Sequence, residues 1–287
     1  MSARDIRKAG VVGLGTMGSG IAQLCVQAGV PTVACETTPE LAERGRATIV
    51  KQLARAVEMG AMTVEEQEAT LALLEPASDL AALAGCDIVI EAVFESLEVK
   101  HDLFGRIERV VGAETVLATN TSALSVTEIA APLDHPGRVV GMHFFNPAQV
   151  LPLVEVVRAD GTDEIAFETA FAFARRLGKD PIACGDTPGF VVNRILIPVL
   201  NDAVRVLDEG VASPADIDKG MRLGTNWPIG PLALIDLIGI DVYVHVCEAL
   251  WQAFREPRFA PPPTLVRMLK AGRLGRKSGS GFFEYGA

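Results

Sequence analysis

Residues 10–28 read GVVGLGTMGSGIAQLCVQA: a short apolar run, glycines at 13, 15 and 18, and then a helical pattern. With 27 glycines among 287 residues, chance supplies about 0.2 GxGxxG matches per chain, so the spacing alone decides little. Its surroundings decide more. The motif follows a strand expected over Gly10–Leu14, opens a helix expected over Met17–Ala28, and is followed by Glu36 at the end of the next strand, Thr32–Glu36. Gly13 permits the tight turn, Gly15 lets a pyrophosphate approach the backbone, and Gly18 allows close packing of the helix. Leu14, Thr16 and Met17 complete the loop, and the helix N-terminus supplies free amide donors and the positive end of its dipole. Glu36 is placed to accept hydrogen bonds from ribose hydroxyls and to repel a 2′-phosphate, which favours NAD over NADP. Arg44 keeps an NADP site open as the alternative.

Outward from this stretch, strands are expected over Asp87–Val93, Thr115–Thr119, Val139–Phe144 and Leu151–Val157. Helices are expected over Pro39–Met59, Glu98–Val111 and Thr162–Leu177. Continuous apolar runs such as Ile88-Val89-Ile90 mark strands buried on both faces of a parallel sheet. The alternation predicts an α/β fold, a Rossmann-type doubly wound, mostly parallel sheet. Past Pro181–Gly185 the character changes. Thr187-Pro188 reads as a helix start, and helical patterns continue to about residue 269, with a kink expected at Pro198. This gives a nucleotide-binding domain over residues 1–186 and an all-helical second domain over 187–287.

Composition bounds the function. Hydrophobic residues are 49% and charged residues 22% of the chain, which excludes a disordered or fibrous protein. The net charge of −10 argues against nucleic acid and anionic membrane as partners. Five cysteines without metal-ligand spacing read as small buried hydrophobes in a reducing compartment, and no metal site is expected. The N-terminus lacks a signal-peptide pattern, and the apolar stretch 190–207 is broken by Asn193, Arg194, Asn201, Asp202 and Arg205. The expectation is a cytoplasmic protein.

Of four histidines, His101 falls on a surface helix, His135 in a turn, and His245 one helical turn from Asp241, where a local pair suffices. His143 ends an apolar strand, the place where ligands gather in open α/β sheets. Glu155 stands among Leu153, Val154, Val156 and Val157, where a carboxylate needs a partner. If the chain folds back as a hairpin centred on Gln149, His143 faces Glu155, an imidazole oriented by a carboxylate. A structural glutamate is the plainer reading. Ser122 follows the strand Thr115–Thr119 and reads equally as a site hydroxyl or a turn hydroxyl. Asn193 is an amide in the second turn of the helix expected from Thr187, where a core or dimer contact is the plainer reading.

Taken together, GLGTMGSGIAQ (from Gly13), EAVFE (from Glu91), NTSALSVTEIA (from Asn120), GMHFFNP (from Gly141), LVEV (from Leu153), DTPGFVVNR (from Asp186), GPLALIDLIGID (from Gly230) and GRKSGSGFFEY (from Gly275) resemble the short-chain L-3-hydroxyacyl-CoA dehydrogenase family. The likeness runs over nearly the whole chain. It implies an NAD-binding domain, and a helical domain through which members usually form homodimers. By the same resemblance His143 is the base that takes the proton of the 3-hydroxyl, with Glu155 as its carboxylate partner. Ser122 and Asn193 are similar to the groups that hold the reacting oxygen and the acyl thioester. Glu36, Glu95, Lys100, Asn120, Asn146 and Lys277 match positions lining the cofactor. Lys51 and Arg55 match basic residues that meet the CoA phosphates, but Met59 stands where a second lysine is usual. That departure keeps a free 3-hydroxy or sugar acid open as substrate beside a 3-hydroxyacyl-CoA such as 3-hydroxybutyryl-CoA. A dinucleotide-binding protein without catalysis is the reading from another class, against which the joint presence of His143, Glu155, Ser122 and Asn193 argues.

Overall fold

The apolar runs of the first part of the chain become strands whose residues are buried on both faces: β1 (Ala9–Val12), β2 (Thr32–Cys35), β4 (Ile88–Glu91), β5 (Val116–Thr119) and β6 (Val139–Phe144). Burial on both sides requires covering helices. These are α1 (Thr16–Gln27), α2 (Pro39–Glu58), α3 (Val64–Leu71), α4 (Leu97–Glu108), α5 (Val126–Ala130) and α6 (Glu164–Arg176). Three further strands, β3 (Leu74–Ala77), β7 (Leu153–Arg158) and β8 (Asp180–Gly185), complete one sheet of order β3-β2-β1-β4-β5-β6-β7-β8. Among the described residues of that sheet, only β6 and β7 pair antiparallel. This computed structural model describes residues 3–286. The chain divides into two units, the first ending at Thr187 and the second beginning at Pro188.

The observed class is the expected one, a doubly wound, mostly parallel sheet followed by helices, with differences at the edges. β3 and β8 were not expected from the sequence. Both are outermost strands, largely exposed, and both contain a proline, Pro76 and Pro181. Proline cannot donate to a ladder and is confined to such edges, so a strand there lacks the apolar, proline-free signature of an inner one.

The second unit has α7 (Val192–Asp208), α8 (Pro214–Gly224), α9 (Pro231–Ile238), α10 (Ile240–Phe254) and α11 (Pro263–Lys270), packed around Leu200, Leu232, Ile235, Tyr243 and Leu250. The helix start expected at Thr187-Pro188 is not there. Gly189 and Phe190 adopt φ of 77° and 47°, left-handed geometry that a right-handed helix cannot include, so α7 begins at Val192. It then runs through Pro198. Among the described residues, no helix is long and apolar enough to cross a membrane.

Candidate active site

The glycine motif forms the turn between β1 and α1. Gly13 has φ of 88°, and a side chain at Gly18 would overlap the Gly13 carbonyl oxygen, so the helix can approach the strand only with glycine there. A Cβ on Gly15 would meet nothing within 4 Å, leaving that stretch of backbone open to a ligand. Beside it lies a cavity of about 330 Å³ lined by Leu14, Gly15, Thr16, Glu36, Arg44 and Thr48. Glu36 is fixed at its rim: one carboxylate oxygen accepts from the Leu14 amide at 2.8 Å, the other from the Thr37 amide at 3.0 Å. An open glycine, a helix N-terminus and a clamped carboxylate fit the pyrophosphate and ribose of a dinucleotide.

The strand order reverses beside β1, whose neighbours are β2 and β4. A dinucleotide over that switch point would reach from Glu36, past the end of β2, to the ends of β4 and β5. Past β4 and β5 stands a connected polar cluster. Glu91 ends β4 with no exposed surface, and Lys100, 1% exposed, reaches it from α4 at 2.6 Å. The second Glu91 oxygen accepts from the Thr119 hydroxyl at 2.7 Å. The Lys100 ammonium also lies 3.4 Å from Glu95, whose other oxygen accepts from the Thr121 hydroxyl at 2.5 Å and the Ser122 amide at 2.9 Å. Burial pushes the Glu95 carboxyl up, but Lys100 and the hydrogen bonds from Thr121, Ser122 and Ala123 outweigh it and hold the carboxyl below its ordinary range. Half-buried Ser122 is thus held at the β5 end by Glu95.

At the next strand end, the antiparallel register places Glu155 of β7 opposite His143 of β6, as the hairpin centred on Gln149 predicts. His143 Nδ1 lies 2.6 Å from Glu155 Oε2, with the imidazole 7% exposed and the carboxylate fully buried. Asn120 ties the two strand ends together, its side-chain oxygen accepting from the Phe144 amide at 2.9 Å. The segment between β6 and β7 is held from two sides. Buried Lys179 donates to the carbonyls of Ala148 and Leu151 at 2.5 and 2.9 Å, and the Gln149 amide donates to Gln52 of α2 at 2.7 Å. Asn146, in that segment, is exposed.

Within the first unit, His143, Glu155, Asn120, Ser122, Glu95 and Lys100 therefore gather at neighbouring strand ends. Lys51 and Arg55 are exposed one turn apart on α2, and Met59, 73% exposed, follows its last turn. Asn193 and Lys277 belong to the second unit. Asn193 is the second residue of α7 and half-buried. The Lys277 ammonium bonds Asp241 at 2.6 Å, so that carboxylate pairs with Lys277 rather than with His245 as the sequence suggested. Glu91, Thr119, Lys179 and Gln149 were missed as site residues. For Glu91 a signal existed, a carboxylate closing the run Ile88-Val89-Ile90 with a lysine further along.

Comparison with known proteins decides the family. Residues 8–187 match the 3-hydroxyacyl-CoA dehydrogenase NAD binding domain, and residues 189–285 match the C-terminal domain of the same enzymes. The chain belongs to the 3-hydroxyacyl-CoA dehydrogenase family. It is similar to the 3-hydroxybutyryl-CoA dehydrogenase of Mycobacterium tuberculosis, at 45% identity over 98% of this chain and 99% of that one. Mouse mitochondrial hydroxyacyl-coenzyme A dehydrogenase is 37% identical over 98% of this chain and 91% of its own. Among solved structures, (S)-3-hydroxybutyryl-CoA dehydrogenase from Ralstonia eutropha superposes with a TM-score of 0.95 at 41% identity, covering 99% of this chain and 100% of that one. This member of the 3-hydroxyacyl-CoA dehydrogenase family is an NAD-dependent oxidoreductase, and the open Gly15 backbone and clamped Glu36 are the features of its own chain that suit that cofactor.

Proposed function

We propose that the protein interconverts (S)-3-hydroxyacyl-CoA and 3-oxoacyl-CoA thioesters, with 3-hydroxybutyryl-CoA and acetoacetyl-CoA as the pair, and that His143 is the general base. The observation that carries this reading is the 2.6 Å contact between His143 Nδ1 and Glu155 at the carboxyl end of β6. Bound NAD supplies the hydride acceptor. His143 takes the proton of the 3-hydroxyl as the hydride leaves C3, and returns it in the opposite direction. Glu155 keeps the imidazole in place and stabilises the positive charge it acquires. Ser122, held by Glu95, supplies a hydroxyl to the reacting oxygen, and Asn193 an amide to the thioester. Lys51 and Arg55 offer positive charge to the CoA phosphates, where exposed Met59 contributes none.

The names of the relatives support the thioester, and Met59 supports the competing free hydroxy acid. NADH oxidation measured with acetoacetyl-CoA and with acetoacetate at equal concentrations separates them. Turnover of the thioester alone is the expected result, and equal turnover of both overturns CoA recognition.

The proposed assembly is a homodimer formed through the second unit, where Ile195 and Val199 are exposed one turn apart on α7. The proposed compartment is the reducing cytoplasm. Cys25 and Cys247 are free and buried, and burial pushes both thiols up to about 12, as suits packing groups rather than nucleophiles. A dimer mass by light scattering tests the assembly, and a monomer mass contradicts it.

A further inference from the structure

The polar cluster past β4 and β5 contains two carboxylates, Glu91 and Glu95, and one ammonium, Lys100, which contacts both. Glu91 and Lys100 are buried, at 0% and 1% exposure, and Glu95 is mostly so. The hydrogen bonds completing the cluster come from neutral donors, the hydroxyls of Thr119 and Thr121 and the amides of Val93, Ser122 and Ala123. They add hydrogen bonds to the two carboxylates but no charge. One net negative charge remains, in surroundings where water screens it poorly.

Its place in the fold gives that charge a role. A dinucleotide bound over the reversal of strand order beside β1 would meet Glu36, past β2, with its adenosine ribose. Its other half would then reach the ends of β4 and β5, where Glu95 and Ser122 stand. Between NADH and NAD that half changes from a neutral to a cationic ring. We infer that the Glu91–Lys100–Glu95 cluster is a redox-state selector, whose uncompensated negative charge favours the oxidised, cationic nicotinamide over the reduced, neutral one. Glu95 is held ionised at neutral pH, its carboxyl lying below the ordinary range. Glu91, fully buried, offsets Lys100 at 2.6 Å and so sets the net charge through it. The same field stabilises the positive charge that develops on the ring as hydride leaves NADH, so it eases reduction of the 3-oxo group.

The inference rests on NAD binding and not on the identity of the acyl substrate. NAD and NADH share the adenosine, both riboses and the pyrophosphate, so the ratio of their dissociation constants isolates the ring. Both constants are measured by fluorescence titration without substrate, on folded protein verified by thermal melting.

Glu91→Gln preserves shape and brings the cluster to neutrality. It is expected to shift the ratio about fivefold toward NADH. Adding Lys100→Met restores one negative charge, and the double variant is expected to return to within about twofold of the wild-type ratio. A merely structural role weakens both nucleotides together and leaves the ratio unchanged. That result, or failure of the double variant to restore the ratio, overturns the inference. If Glu91→Gln does not fold, Glu95→Gln in its partly exposed loop carries the same test: the ratio moves toward NADH, or the inference is wrong. Wild-type protein that binds neither nucleotide overturns it together with the cofactor reading, whereas nucleotide binding without thioester turnover leaves it standing.

Discussion

His143 Nδ1 and Glu155 Oε2 stand 2.6 Å apart across the one antiparallel pair of an otherwise parallel sheet. Antiparallel pairing sets residues of adjacent strands directly opposite each other, so the sheet register itself brings the imidazole to its carboxylate. Charge-assisted contacts of this kind are worth about 1.5–3 kcal/mol. Glu155→Gln is therefore expected to lower kcat about 10- to 100-fold, with little change in the affinity for NADH. Steady-state kinetics beside a nucleotide titration check this. Unchanged kcat means that Glu155 is only a structural partner of the strand.

Glu36→Ala removes the acceptor for the amides of Leu14 and Thr37 and the group placed to meet the ribose. We expect NAD affinity to fall about tenfold or more, the loss of a charged hydrogen bond, and the margin over NADP to narrow. Parallel titrations with both nucleotides measure it. A preserved margin means that Glu36 does not read the ribose.

The glycines at 15 and 18 answer to different constraints. Gly18→Ala forces a methyl onto the Gly13 carbonyl, whereas the methyl of Gly15→Ala enters open space. The first is expected to lower Tm, with overpacking costing about 1–3 kcal/mol. The second should leave Tm near wild type while weakening NAD binding, because the methyl occupies the path of the pyrophosphate. Thermal melting and nucleotide titration of both variants test the contrast. Equal loss of Tm in both contradicts it.

The lowered Glu95 carboxyl has a pH consequence. Its folded value lies below the unfolded one, so its stabilising contribution is complete above the unfolded value of about 4.3 and is lost as pH falls through the folded value. Glu95→Gln should therefore lower Tm at pH 7 and converge with wild type in more acidic solution. A Tm difference that is constant from neutral to acidic pH is the contrary result.

Much of this arrangement could be read from the residues. Glycine spacing, the apolar runs and the position of Glu36 gave the nucleotide half of the sheet, and the symmetric placement of His143 and Glu155 about Gln149 gave the register. The proline-bearing edge strands β3 and β8 escaped because an exposed edge carries no apolar run. The start of α7 was misplaced because Thr187-Pro188 has the chemistry of a cap, while the backbone at Gly189 and Phe190 refuses a helix. The Glu91–Lys100 pair was overlooked although the argument applied to Glu155, that a carboxylate among apolar residues needs a partner, holds equally for Glu91.

The proposed function turns on His143 moving the proton. The most direct measurement is kcat for acetoacetyl-CoA reduction by His143→Gln, made beside the NADH dissociation constant of the same protein. If His143 is the base, turnover falls by at least about 100-fold, the contribution of a general acid–base group, with NADH bound nearly as in the wild type. Turnover near the wild-type rate would contradict it.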